Sequence, residues 1–374
     1  MRERTRRLPF MLLLAALAVI ASACTSDSSS RLWDVAATCP PVGEGYDVHV
    51  QCVGDALVEH ANSEGIDVVM KDLSEMVNKS PDDVSLCHSI AHYASRQLVE
   101  RFSVREMVSV DNGSCDFGFA HGAVEGLAEM YPESLQEQAL ELCTGLDEGS
   151  FRRDNCAHGI GHAFTMTSGA SFSSSTQECA ALYTPDQVGC LGAVLMAYSS
   201  GFASISEDVS VRLPVVDPVE LVEVCDTLTG DLQVRCWSGA WMMFQERDAV
   251  RLHDQLAMVC RSAPTEPLRA GCGNGLGQAM FFRSSPDVDQ DPSKIRAASS
   301  LAVARCLEGE LRNPCIQGVA LGAAAWWAEA HTSFGEYQSI CPTLTGTENE
   351  WCVDGESEPR RRVDELSNIA AGGD

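Results

Sequence analysis

The chain has 374 residues, 45% of them hydrophobic, and a formal net charge of −27. A charge of that size, spread along the whole sequence, opposes binding to nucleic acid and to anionic headgroups and favours a solvated surface and cationic ligands. About 350 residues beyond the leader are enough for a large core, built as one repeat array or as two domains.

Residues 1–23 read as an export signal. Arg2, Arg4, Arg6 and Arg7 form a positive start, and "FMLLLAALAVI" is an apolar run of 11 residues, too short to span a bilayer. The run ends in "ASAC" and is followed by the polar stretch "TSDSSS". This arrangement resembles a bacterial lipoprotein signal. The resemblance implies cleavage after Ala23 and acylation (palmitate or a related chain) of Cys24, with Ala21 where the family prefers Leu. It also implies a protein held to the cell membrane by lipid on the extracytoplasmic face, with residues 24–35 as a flexible linker. The alternative is an ordinary signal peptide cut near Ala23. Without the leader, which carries four Arg and one Glu, the formal charge is −30.

A helical-repeat domain is expected over residues 36–356, with a disordered tail over 357–374. Setting Cys24 aside leaves 16 cysteines, and an exported chain meets an oxidising compartment, so disulfides are expected. From Cys143 onward the cysteines fall in close pairs with 8 to 12 residues between them: Cys143/Cys156, Cys179/Cys190, Cys225/Cys236, Cys260/Cys272, Cys306/Cys315 and Cys341/Cys352. Cys39/Cys52 fits the same rule, and Cys87 and Cys115 are left to each other by elimination. The first cysteine of a pair ends a helix-like run, as in "SLQEQALELC" and "VELVEVC", and the second begins another, usually as Cys-x-x-Gly. The second cysteines recur every 34 to 46 residues, a period that predicts stacked helical hairpins. The fold class is therefore all-α: disulfide-stapled hairpins in a solenoid or a closed α/α toroid.

Local signals agree. "DPVELVEV" (Asp217, Pro218) and "DPSKIRAA" (Asp291, Pro292) each offer an N-cap aspartate and a proline at the first helical position. Small residues in "GIGHA", "GLGQA" and "GVALGAAA" would let neighbouring helices approach closely. "VALGAAAWWA" (Val319 to Ala328) is apolar but short, and predicts a buried helix. In repeat size and stapling the chain is similar to Sel1-like helical repeats, without their Leu-Gly and Tyr pattern. "CAHG" is similar to a ligand segment of the α/α-toroidal lanthionine cyclases, whose adjacent Cys-His-Gly segment is absent. Neither resemblance carries any residue over.

Three consecutive segments, "CHSIAH", "CDFGFAH" and "CAHGIGH", place His92, His121 and His162 in one structural column. His88 precedes His92 by four residues, His158 precedes His162 by four, and Glu125 follows His121 by four. Residues i and i+4 share a helix face at roughly 5–6 Å. If the three helices are neighbours, five of the chain's nine histidines converge with one carboxylate, enough for one or two divalent transition ions. With the thiols oxidised, imidazole and carboxylate suit zinc first. Met196 and Met242 continue the column and would favour copper as ligands, although methionine on a helix face is usually packing. Later repeats keep Cys-x-x-Gly without histidine, so the staple does not require it.

Weaker motifs add little. "DVDQD" (Asp287, Asp289, Asp291) opens like a calcium loop, but Pro292 stands where its glycine belongs and Ala298 where its glutamate does. Trp237, Trp241, Trp326 and Trp327 fit a stacking wall for a ligand less well than a core. The functional expectation is a membrane-anchored extracytoplasmic metal-binding protein using His88, His92, His121, Glu125, His158 and His162. Its alternatives are a repeat scaffold for an envelope protein or polymer, with structural histidines, and a hydrolase using the same cluster.

Overall fold

The computed structural model describes residues 38–370 except 80–83, 116, 201–212, 215, 217, 240, 242–248, 285–290, 307 and 329–332. The signal, Cys24 and the linker over 24–35 lie outside the described residues, as do Asp217, Asp287, Asp289 and Met242. The described chain is helical, with no strand among the described residues. Its helices are α1 (Tyr46–Glu64), α2 (Ile66–Lys79), α3 (Val84–Leu98), α4 (Val104–Val110), α5 (Gly118–Met130), α6 (Leu135–Leu142), α7 (Phe151–Thr167) and α8 (Phe172–Ala180). They continue with α9 (Thr184–Ser200), α10 (Pro218–Asp226), α11 (Gly230–Gly239), α12 (Ala249–Ser262), α13 (Glu266–Ser284), α14 (Pro292–Arg305), α15 (Arg312–Ala328) and α16 (Thr347–Ala370).

Helix starts are set by short-range chemistry. The hydroxyls of Ser103, Ser150 and Ser171 accept hydrogen bonds from the amides of Glu106, Arg153 and Ser174, satisfying donors that the first turn of a helix leaves free. Asp291 does the same for Ser293 and Lys294, with Pro292 next in α14, so this end of the acidic run is a helix cap. Pro218 opens α10 as its sequence predicts.

Helices α1, α3, α5, α7, α9, α11, α13, α15 and α16 each pack against the next in that order, and α4, α8, α10, α12 and α14 back their successors in the chain. Glycine permits the close approach. A Cβ on Gly277 of α13 would overlap the Cys315 carbonyl oxygen of α15, and one on Gly318 would overlap the Asn274 carbonyl oxygen. Such backbone-to-backbone contact is closed to any side chain, and it accounts for glycine inside helices where it costs about 1 kcal/mol against alanine. The glycines of Cys-x-x-Gly thus act as packing surfaces in helix interiors.

All eight disulfides pair as the spacing predicts: Cys39–Cys52, Cys87–Cys115, Cys143–Cys156, Cys179–Cys190, Cys225–Cys236, Cys260–Cys272, Cys306–Cys315 and Cys341–Cys352. Their placement corrects two expectations. The second cysteine of most pairs does not begin its helix but lies one to two turns inside it, as Cys156 does in α7 and Cys272 in α13. Cys87 lies within α3 and Cys115 in the turn before α5, so this bridge joins one row helix to the approach of the next instead of closing a hairpin.

The expected disordered tail is corrected too. Residues 357–370 are the second half of α16, and Val363 is buried. That half reaches the start of α7. Both carboxylate oxygens of Glu365 accept from the Phe151 amide at 2.9–3.0 Å, Arg361 donates to the Gly149 carbonyl at 3.0 Å, and Arg362 lies 4.3 Å over the Phe151 ring. The row therefore comes back on itself between α7 and α16.

The segment 319–328 is the buried end of α15, as its composition predicts, and Trp237 and Trp327 are core residues. Trp241 stacks on Phe282 at 5.6 Å, with Trp326 beyond it.

Candidate metal centre

Helices α3, α5 and α7 are consecutive in the row, so the three histidine segments become neighbours. Their spacing is set by glycines inside the motifs themselves. A Cβ on Gly118 would lie 2.6 Å from the His88 carbonyl oxygen, one on Gly122 would overlap that of His92, and one on Gly159 would lie 3.2 Å from the Cα of His121. The backbones thus touch at the turns that carry the imidazoles, and the rings project together.

The rings form a continuous cluster. Centroids are 4.6 Å apart for His88 and His92, 5.5 Å for His92 and His121, and 5.7 Å for His88 and His121. On the other side His121 lies 5.2 Å from His158 and 6.1 Å from His162, and these two are 5.0 Å apart. His121 is therefore the middle member, shared by two groups of three. Ligand atoms of His88, His92 and His121 all lie within 4.8 Å of one another. Glu125 enters from α5 but faces His92, with Oε2 3.4 Å from Nδ1. All six residues expected from the sequence are thus in one place, and the carboxylate serves a neighbour of the histidine that pointed to it.

His88 is oriented for ligation. Its Nδ1–H donates to the Cys115 carbonyl at 2.8 Å, which makes Nε2 the lone-pair nitrogen of the ring. The turn presenting that carbonyl is left-handed at two non-glycine residues, Cys115 (φ 57°) and Phe117 (φ 58°). Asp111 holds it, accepting from the amides of Gly113 and Ala120 at 2.8 Å each, and the Cys87 bridge fixes Cys115 to α3. Nothing in the sequence pattern marked Asp111 or this turn.

Burial determines the electrostatics. His92, His121 and His162 are 1–4% exposed. Both ring nitrogens of His121 and of His162, and Nε2 of His92, are buried with no hydrogen-bond partner among the described residues. An unmade buried hydrogen bond costs about 1–3 kcal/mol. Five such atoms would cost on the order of 5–15 kcal/mol, as much as a whole domain's stability. Burial, then repulsion from the surrounding imidazoles, holds His121 well below the ordinary histidine range. Burial, then His162 and the Arg235 guanidinium, does the same to His158. Burial takes His162 down to about 4, against an upward pull from Glu125. Burial would raise Glu125, but the His92 imidazole beside it outweighs this together with other neighbours and brings it down to about 2. His121, His158 and His162 are therefore neutral beside an ionised Glu125, the protonation state that metal ligation requires of them.

Met196, the next residue of the column, is 37% exposed and takes no part in the buried cluster. Cys341, Cys352 and Glu356 also lie close together, but the two sulfurs are bonded to each other and offer no thiolate. Fold and site together define an all-helical, disulfide-stapled protein with a buried polyhistidine cluster. No family pattern, no curated protein and no solved structure matches the chain.

Proposed function

We propose that this is a lipid-anchored, extracytoplasmic protein that binds one or two divalent transition ions, zinc first and copper second, through His88, His92, His121, Glu125, His158 and His162. The observation that carries the reading is the set of buried imidazole nitrogens without hydrogen-bond partners. Such atoms are costly unless an ion takes their lone pairs. His88, His92 and His121 form the first ligand group, with Glu125 beside it, and His158 and His162, on the other side of His121, would supply ligands for a second ion. Eight disulfides accord with an oxidising compartment, and they leave imidazole and carboxylate as the ligand chemistry. No described helix is long and apolar enough to cross a membrane, and the anchor in this reading is lipid on Cys24.

Elemental analysis of the protein, expressed through an oxidising export route, tests the reading. Wild type should carry zinc or copper in stoichiometric amount, and the His121→Ala/His162→Ala double variant should lose it while keeping its disulfides. A wild-type protein that carries no metal, and whose melting temperature does not respond to added Zn²⁺ or Cu²⁺, overturns it.

A further inference from the structure

We propose that Arg235 and His158 form an oxyanion subsite at the edge of the histidine cluster, one that holds a phosphate or carboxylate group against an ion held by that cluster. The proposal rests on the metal reading above.

The geometry lies over Gly192 of α9. At the position where a side chain would begin, Arg235 Nη2 is 3.1 Å away, Arg235 Nε 3.9 Å and His158 Nδ1 3.7 Å. A guanidinium from α11 and an imidazole from α7 thus converge above a glycine, and a Cβ there would crowd both. Arg235 Nε is buried without a hydrogen-bond partner, and Arg235 makes no ion pair among the described residues. Arg361 and Arg362, at the closing end of α16, are already engaged with Gly149 and with the Phe151 ring.

The charge around the subsite is cationic in a strongly acidic chain. Asp154 and Glu358 are the carboxyl groups that face Arg235, and three arginines, Arg235, Arg361 and Arg362, surround them.

The chemistry matches the other end of the cluster. His88 donates Nδ1–H to a carbonyl, which fixes its tautomer. His158 Nδ1 and the Arg235 guanidinium both lie within 4 Å of the same point over Gly192, and His158 makes no hydrogen bond among the described residues. An oxyanion over Gly192 would give that Nδ1–H the acceptor that Cys115 gives His88. The guanidinium fork would take two of the anion's oxygens in parallel, the geometry for which arginine is suited and lysine is not.

The test is calorimetric titration of the zinc-loaded full-length protein in detergent with inorganic phosphate and, separately, with acetate, alongside zinc analysis. Wild type should bind at least one of them, and the tighter of the two identifies the anion type. Arg235→Gln should weaken it at least tenfold with zinc retained, Arg235→Lys should fall between, and Gly192→Ala should weaken it by crowding the guanidinium. Zinc-loaded wild type that binds neither anion, or Arg235→Gln that binds as well as wild type, overturns the subsite and leaves the metal reading intact. If wild type takes up no zinc, the metal reading fails by itself. Arg235-dependent binding of phosphate or acetate to that protein would then retain an anion site without an ion, and its absence would end the proposal.

Discussion

Acid should destabilise the metal-free protein steeply, and His162 sets the scale. In the unfolded chain its imidazole titrates near 6.5, while in the folded protein burial brings it down to about 4. Above pH 6.5 neither state is protonated and the full contribution to stability is present. As pH falls below 6.5 the unfolded chain takes up a proton that the folded chain refuses, and stability is lost until pH passes the folded value near 4. At 1.36 kcal/mol per unit, the displacement corresponds to about 3 kcal/mol from this one residue. His121 and His158 are also held well below the ordinary range by burial and by the neighbouring imidazoles, so the loss of stability with falling pH is steeper than His162 alone would give. The contribution of Glu125, whose carboxyl lies near 2, is lost in a lower window, between 4.5 and 2. Urea unfolding of chelator-treated protein at pH 7.5, 6.5, 5.5 and 4.5 follows the histidine window, above that of Glu125. His162→Gln, which cannot titrate, should reduce the slope between pH 6.5 and 4.5 by about 1.4 kcal/mol per unit. Wild type losing less than about 1 kcal/mol over that range, or a variant with the wild-type slope, would refute the claim that the cluster is buried and neutral.

Gly122→Ala puts a methyl into the His92 carbonyl and should cost about 3 kcal/mol in urea unfolding and impair metal uptake, whereas Gly145→Ala, with open space around it, should cost almost nothing. Glu365→Ala removes the carboxylate that α16 offers to the first amides of α7 and should lower stability by about 1–2 kcal/mol; no change in the unfolding midpoint would mean that the end of α16 does not dock there. Cys24→Ala should move the exported protein from the detergent phase to the aqueous phase on phase partition, and a wild-type protein already in the aqueous phase would remove the lipid anchor from the reading.

The sequence by itself determined what short chain separations can encode. Disulfides between cysteines 9 to 13 positions apart follow from it, because a tight connection between two helices leaves each thiol one near partner. The shared face of His88 with His92, and of His158 with His162, follows from helical periodicity alone. The helical class, the start of α10 at Pro218 and the capped start of α14 were equally legible. Tertiary structure decided whatever depends on how one helix lies on another. Cys87 and Cys115 are 28 positions apart, and their bridge spans two row helices because α5 docks on α3. Glu125 meets His92 instead of extending the His121 face, through rotations and spacings fixed where Gly118, Gly122 and Gly159 bring backbones into contact. The return of α16 to α7 was hidden for the same reason. Residues 357–370 are polar enough to look unstructured alone, and they fold because Glu365, Arg361 and Arg362 find partners more than 200 residues away.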